Sequence, residues 1–166
     1  ALSFFQSNRF VIGHLLRQVL SHLRGDRILD LYAGVGLFSV PMAASGAEVV
    51  AVEGDESSAA DLAVNADRWS SLRVWHQSVE AALLQVAPRS FDTVVVDPPR
   101  TGVSAEALAG IVALGAARIV YVSCDPPTLA RDAARVRDAG YQLESVEAFD
   151  MFPNTPHVET LAIFDR

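Results

Sequence analysis

The 166-residue chain holds one cysteine, Cys124, and few basic side chains: 13 Lys and Arg stand against 20 Asp and Glu, a formal net charge of −7. A lone thiol excludes an intrachain disulfide framework and any multi-cysteine metal or iron–sulfur site built from this chain alone. Cys124 is then either a buried filler or a reactive thiol. The acidic balance is the reverse of what a self-sufficient nucleic-acid binder carries, so if the chain acts on a nucleic acid, much of the grip on its phosphates comes from elsewhere. No apolar run approaches the roughly 18 to 20 residues that span a bilayer, and the N-terminus shows neither a basic stretch nor a cleavage-like site. The expectation is a soluble, cytoplasmic protein without a membrane partner.

With 51% hydrophobic residues, a single domain over 1–166 can bury an ordinary core. The chain opens on Ala-Leu-Ser and runs almost directly into an ordered-looking segment, which reads as a piece of a longer protein. Apolar, β-rich runs at 27–32, 48–53, 72–76, 91–96 and 118–123 alternate with helix-like spacing at 8–23, 37–45, 56–69, 79–86, 104–114 and 127–139. Strands this apolar are covered on both faces, so the pattern predicts a doubly wound α/β fold around a mostly parallel sheet. Two further strands near 141–149 and 158–165 have no helix between them and are expected to pair as an antiparallel hairpin at one end of the sheet.

Open α/β sheets bind ligands outside the carboxyl ends of their strands, and the unusual residues gather there. The first strand runs into Asp30-Leu-Tyr32-Ala-Gly34-Val-Gly36, a glycine turn entering a helix. The second ends at Glu53, seventeen residues after Gly36, where a carboxylate can accept both ribose hydroxyls of an adenosine-containing cofactor. Ser39 occupies the place of the third glycine that a dinucleotide pyrophosphate needs. That argues against a nucleotide-dependent oxidoreductase and favours S-adenosylmethionine.

The fourth strand ends in Asp97-Pro98-Pro99-Arg100-Thr101-Gly102, a carboxylate on a loop stiffened by two prolines. The fifth ends in Ser123-Cys124-Asp125-Pro126-Pro127, which places the thiol beside the crevice and near a helix N-terminus expected to favour the thiolate. A thiol has work to do in methylating C5 of uracil: addition to C6 makes C5 nucleophilic, and a base must later remove the C5 proton. Glu159 and His157, in Phe149-Asp-Met-Phe-Pro-Asn-Thr-Pro-His157-Val-Glu159, are rival bases that spacing alone leaves undecided.

Two long motifs carry a resemblance: Asp97-Pro-Pro-Arg-x-Gly followed after sixteen residues by Ile119-Val-Tyr-Val-Ser-Cys124, and the Phe149–Glu159 segment. The chain resembles, nearly end to end from Phe4-Phe-Gln6-Ser-Asn8, the catalytic domain of the RNA uridine C5-methyltransferases acting on tRNA or 23S ribosomal RNA. The resemblance implies a Rossmann-like class I fold, Cys124 as nucleophile and Glu159, in preference to His157, as base. It assigns cofactor contacts to Gln6, Tyr32, Gly34, Gly36, Glu53 and Asp97, and no metal to this chain. It further implies an N-terminal RNA-binding domain, in some members with an iron–sulfur cluster, outside this sequence; RNA would bind the present domain weakly. Asp125 departs from the family pattern after the cysteine and is expected to raise the thiol pKa by like-charge repulsion. Two rival readings weighed are an amino-group methyltransferase, for which Arg100 stands where a stacking aromatic belongs, and a non-catalytic cofactor-binding scaffold.

Overall fold

The computed structural model describes residues 9–151 and 158–166. Among them, helices α1 (Arg9–Ser21), α2 (Ser39–Ala44), α3 (Glu56–Ala66), α4 (Val79–Leu83), α5 (Ala105–Leu114) and α6 (Pro126–Asp138) alternate with strands β1 (Arg27–Leu31), β2 (Glu48–Glu53), β3 (Leu72–His76), β4 (Thr93–Val96) and β5 (Arg118–Ser123); β6 (Gln142–Phe149) and β7 (Glu159–Asp165) follow. The sheet runs β3-β2-β1-β4-β5-β7-β6. The first five strands are parallel, and β7 is antiparallel to both β5 and β6. The doubly wound fold and the terminal antiparallel pair therefore stand as expected, with β7 inserted between β5 and β6.

Strand period sorts the core. Leu29, Leu31, Val94, Val96, Ile119 and Tyr121 face one side, where α4, α5 and α6 cover them. Their neighbours Ile28, Val95, Val120 and Val122 face the other, under α1, α2 and α3. Burial on both faces is why these strands read as continuous apolar runs instead of alternating ones.

Helix starts follow from capping. Asp55, Ser78, Ser104 and Asp125 each accept from the N–H three residues on, satisfying a donor that the first turn cannot pair. The fourth strand begins two residues later than its apolar run suggests, because Asp92 turns its carboxylate to Arg27, with Nη2–Oδ1 at 2.6 Å.

The strand order reverses between β1 and β4, the point at which an open α/β sheet leaves a crevice at its carboxyl end. β5 delivers Cys124 to that same end. Because β7 runs the opposite way, its first residues also arrive there: Thr160 pairs with Ser123, and Phe149 with Glu159. The reversal of one strand is what brings Glu159 to the cysteine.

Candidate active site

A cavity of about 390 Å³ opens at the reversal point. Tyr32, Gly34, Asp97, Cys124 and Glu159 line it, together with Phe38, Pro98, Pro99 and Arg100. Five residues picked from sequence thus meet in one chamber although they come from four separate strand ends. Gly36 and Glu53 do not line it; they build its wall. Gln6 and the rival base His157 lie outside the described residues.

The wall is a tight turn. Tyr32 adopts φ 61°, Gly34 φ 56° and Gly36 φ 96°, left-handed backbone that glycine takes without penalty and tyrosine does not. At Gly36 space is also short, since a Cβ would stand 2.8 Å from Leu62 Cδ1 of α3. Glu53 holds the turn from the end of β2: the Gly34 N–H donates to Oε2 and the Asp55 N–H to Oε1, both at 2.7 Å. Behind it lies Asp30, fully buried, with Ser39 donating a short hydrogen bond to Oδ2.

Burial, above all, pushes the Asp30 carboxyl from its ordinary 3.8 up to about 7; the Ser39 hydrogen bond opposes the shift and Glu53 adds to it. A carboxyl that is protonated in the fold and ionised in the unfolded chain makes folding take up a proton, so stability falls as pH rises from 3.8 to about 7 and stays at its lower level above. Asp30→Asn is expected to flatten that slope by at most about 1.4 kcal/mol per pH unit, measured as thermal midpoints across the window. An undiminished slope would place the titration in other groups.

Asp97 keeps part of its surface open to the cavity while its carboxyl packs deeply. Burial first, then the charges of Glu159 and Asp30, raise that carboxyl well above its usual range. Glu159 is fully buried at the start of β7. Cys124 is half-buried. Its thiol is pushed up by desolvation and by Glu159, drawn down by hydrogen bonding and attraction from Arg100, and pushed up again by Asp97.

Two expectations about the thiol change here. The N-terminus of α6 does not favour the thiolate: its first two residues are prolines without an N–H, and the third N–H, of Thr128, is taken by Asp125 at 3.0 Å. Nor is Asp125 the leading charge against the thiolate: Glu159 and Asp97 are, while the Asp125 carboxylate caps α6. Arg100, read from sequence only as a missing aromatic, is the cation of the site. The signal was its place directly after Asp97-Pro98-Pro99. Among the described residues no group of three or more His, Cys, Asp or Glu is placed to hold a metal ion, and no helix is long and apolar enough to cross a membrane.

The geometry matches a known family. Residues 81–166, which contain both β4–β5 motifs and the β6–β7 pair, fit the family model described as tRNA (Uracil-5-)-methyltransferase. The chain belongs to the tRNA (uracil-5-)-methyltransferase family. Residues 5–118, which carry the glycine turn, also fit the methyltransferase small domain. The 23S rRNA (uracil(1939)-C(5))-methyltransferase RlmD of Burkholderia pseudomallei is 44% identical over 97% of this chain and 37% of its own length. The RlmD of Hahella chejuensis is 41% identical over 99% of this chain and 39% of its own length. Among solved structures, the Pyrococcus abyssi tRNA (uracil-54, C5)-methyltransferase in complex with S-adenosyl-L-homocysteine superposes with a TM-score of 0.88 at 34% identity, covering 98% of this chain and 40% of that one. The chain therefore spans about two-fifths of the length of these family members.

Proposed function

We propose that this chain is the catalytic domain of an S-adenosylmethionine-dependent RNA methyltransferase that methylates C5 of a uridine in rRNA or tRNA, working in the cytoplasm as part of a longer protein whose other domains grip the RNA. The observation that carries the reading is the meeting of a thiol and a carboxylate, Cys124 and Glu159, in the cavity walled by the glycine turn. Uracil C5 chemistry needs that pair; amino-group methylation leaves Cys124 without work.

The cavity fits the cofactor. Its volume of about 390 Å³ lies in the range of small-molecule sites, about 300–1,000 Å³. The glycine turn admits close approach of a ligand, Glu53 has lone pairs left to accept ribose hydroxyls, and Asp97 is a raised carboxyl that a cationic group would return to its ionised form. Tyr32, Gly34, Gly36, Glu53, Asp97 and, beyond the described residues, Gln6 would hold it. Bound there, S-adenosylmethionine supplies an electrophilic methyl group.

The residues do the rest. Arg100 stabilises the Cys124 thiolate, which adds to C6 of the uracil and leaves C5 as the carbon end of an enolate. C5 takes the methyl group and briefly holds both it and its hydrogen. Glu159 removes the C5 proton, the C5–C6 double bond re-forms, and the C6–S bond breaks to return the thiolate. Full burial of Glu159 keeps bulk water from competing for that proton.

The test is trapping. RNA containing 5-fluorouridine, mixed with the protein and S-adenosylmethionine, is expected to give a methylated covalent complex that survives a denaturing gel and maps by mass spectrometry to Cys124, because fluorine at C5 cannot leave as a proton. Cofactor binding without any such adduct would defeat the proposal and put amino-group methylation or a scaffold role ahead.

A further inference from the structure

Asp132 lies on α6, eight residues beyond Cys124, with no exposed surface and no place on the cavity wall. A carboxylate is costly to bury unless its oxygens are taken up by donors. Here they are. Tyr121 O–H donates to Oδ2 at 2.8 Å and the Val103 N–H at 3.1 Å, while Arg131 donates to Oδ1 at 2.9 Å.

These contacts converge on the loop that carries Arg100. Arg131 Nη2 also donates to Thr101 O at 3.1 Å, and Thr128 Oγ1 to Arg100 O at 3.3 Å. Gly102, at φ 77°, sits directly on the group: a Cβ there would run into Thr128 Cγ2, Arg131 Nη2 and Asp132 Oδ2. Its N–H closes the turn on Pro99 O at 2.8 Å. Arg100, Thr101 and Val103 are thus hydrogen-bonded to α6, the helix that follows the cysteine, and Gly102 leaves no room between the loop and that helix.

We propose that Asp132 is a positioning residue which, through the loop from Asp97 to Gly102, keeps Arg100 at the cavity wall it shares with Cys124. The proposal rests on Cys124 being the nucleophile for its purpose, but not for its test. In Asp132→Asn one oxygen can still accept from Val103 N–H and Tyr121 O–H, but an amide NH2 then faces Arg131, whose anchor beside Thr101 is lost, and the loop is loosened from α6. Cys124 would then face Glu159 and Asp97 with its cation withdrawn.

The sign of the effect separates this from a direct charge effect. Removing a nearby carboxylate would by itself ease ionisation of a thiol; removal acting through Arg100 hinders it. Cys124 is the chain's single cysteine, so iodoacetamide alkylation followed by mass spectrometry against pH titrates one group and needs neither RNA nor methylation. We expect Asp132→Asn to slow alkylation near neutral pH by about tenfold and move the profile to higher pH. Arg131→Lys, which keeps the charge at an exposed position and loses the two-pronged contact, moves it the same way by less. In an Arg100→Gln background, itself slowed, Asp132→Asn adds nothing. Should Asp132→Asn unfold, Arg131→Lys and its combination with Arg100→Gln decide the matter. An unmoved profile, faster alkylation, additive effects, or an Arg100→Gln variant that alkylates like the parent would each overturn the proposal. Failure to methylate uridine would defeat the proposed function and leave this result standing.

Discussion

Cys124→Ala is expected to lose all methyl transfer to uridine while keeping S-adenosylmethionine binding and the fold. The thiol is half-buried at the end of β5 and none of the turn contacts made by Glu53 involves it, so the cofactor wall is left intact. On the proposed mechanism, what disappears is the thiol that adds to C6, without which C5 stays too poor a nucleophile. The substitution should even relieve a conflict, since desolvation and Glu159 both act against the ionised sulfur. The check is tritiated methyl transfer to RNA beside calorimetric titration with the cofactor. Methylation that persists in the alanine variant would remove the thiol from the mechanism and return amino-group chemistry to the front.

Glu159→Gln should fail later in the cycle and in a more visible way. Addition and methylation need no base at C5, but release does, so turnover is expected to fall by about 10²- to 10⁴-fold, the usual contribution of a positioned base. Ordinary, unfluorinated RNA should then remain bonded to Cys124 long enough to shift the protein on a denaturing gel. Neutralising this carboxylate also removes the leading charge that pushes the thiol up, so Cys124 should alkylate faster at neutral pH than in the parent. Slow turnover with no accumulating adduct would mean that another group takes the proton, His157 being the first to examine.

Most of the architecture was legible because it depends on local and periodic signals. Strands β2, β3 and β5 match their apolar runs end to end, and all six helices lie within or close to the helical spacing that predicted them. The positions of Gly34, Asp97 and Cys124 could be read for a related reason: topology sends every parallel strand's carboxyl end to one edge. Glu53 shows the limit. Its distance from Gly36 suggested a ribose acceptor, but spacing says nothing of the backbone N–H groups it also holds. Electrostatics was the least legible layer. The thiol's environment is set by Glu159, Arg100 and Asp97, which are 35, 24 and 27 positions away in sequence, while the adjacent Asp125 is turned into its helix. The natural suspect, a neighbour in sequence, is not the leading charge. Asp132 was invisible for the same reason, because nothing in Ala-Arg-Asp-Ala marks an acid that points inward and collects donors from a strand and a loop.

The place of β7 between β5 and β6 bears on the order of assembly. β6 is made first but its strand pairing with the sheet runs only through β7, with the Arg118–Glu144 ion pair as a side-chain tie to β5, so its ladder waits on β7 entering beside β5. The step that completes the antiparallel edge is therefore also the step that installs Glu159. A chain lacking that edge would keep the glycine turn, Asp97 and Cys124 but not the carboxylate that faces them.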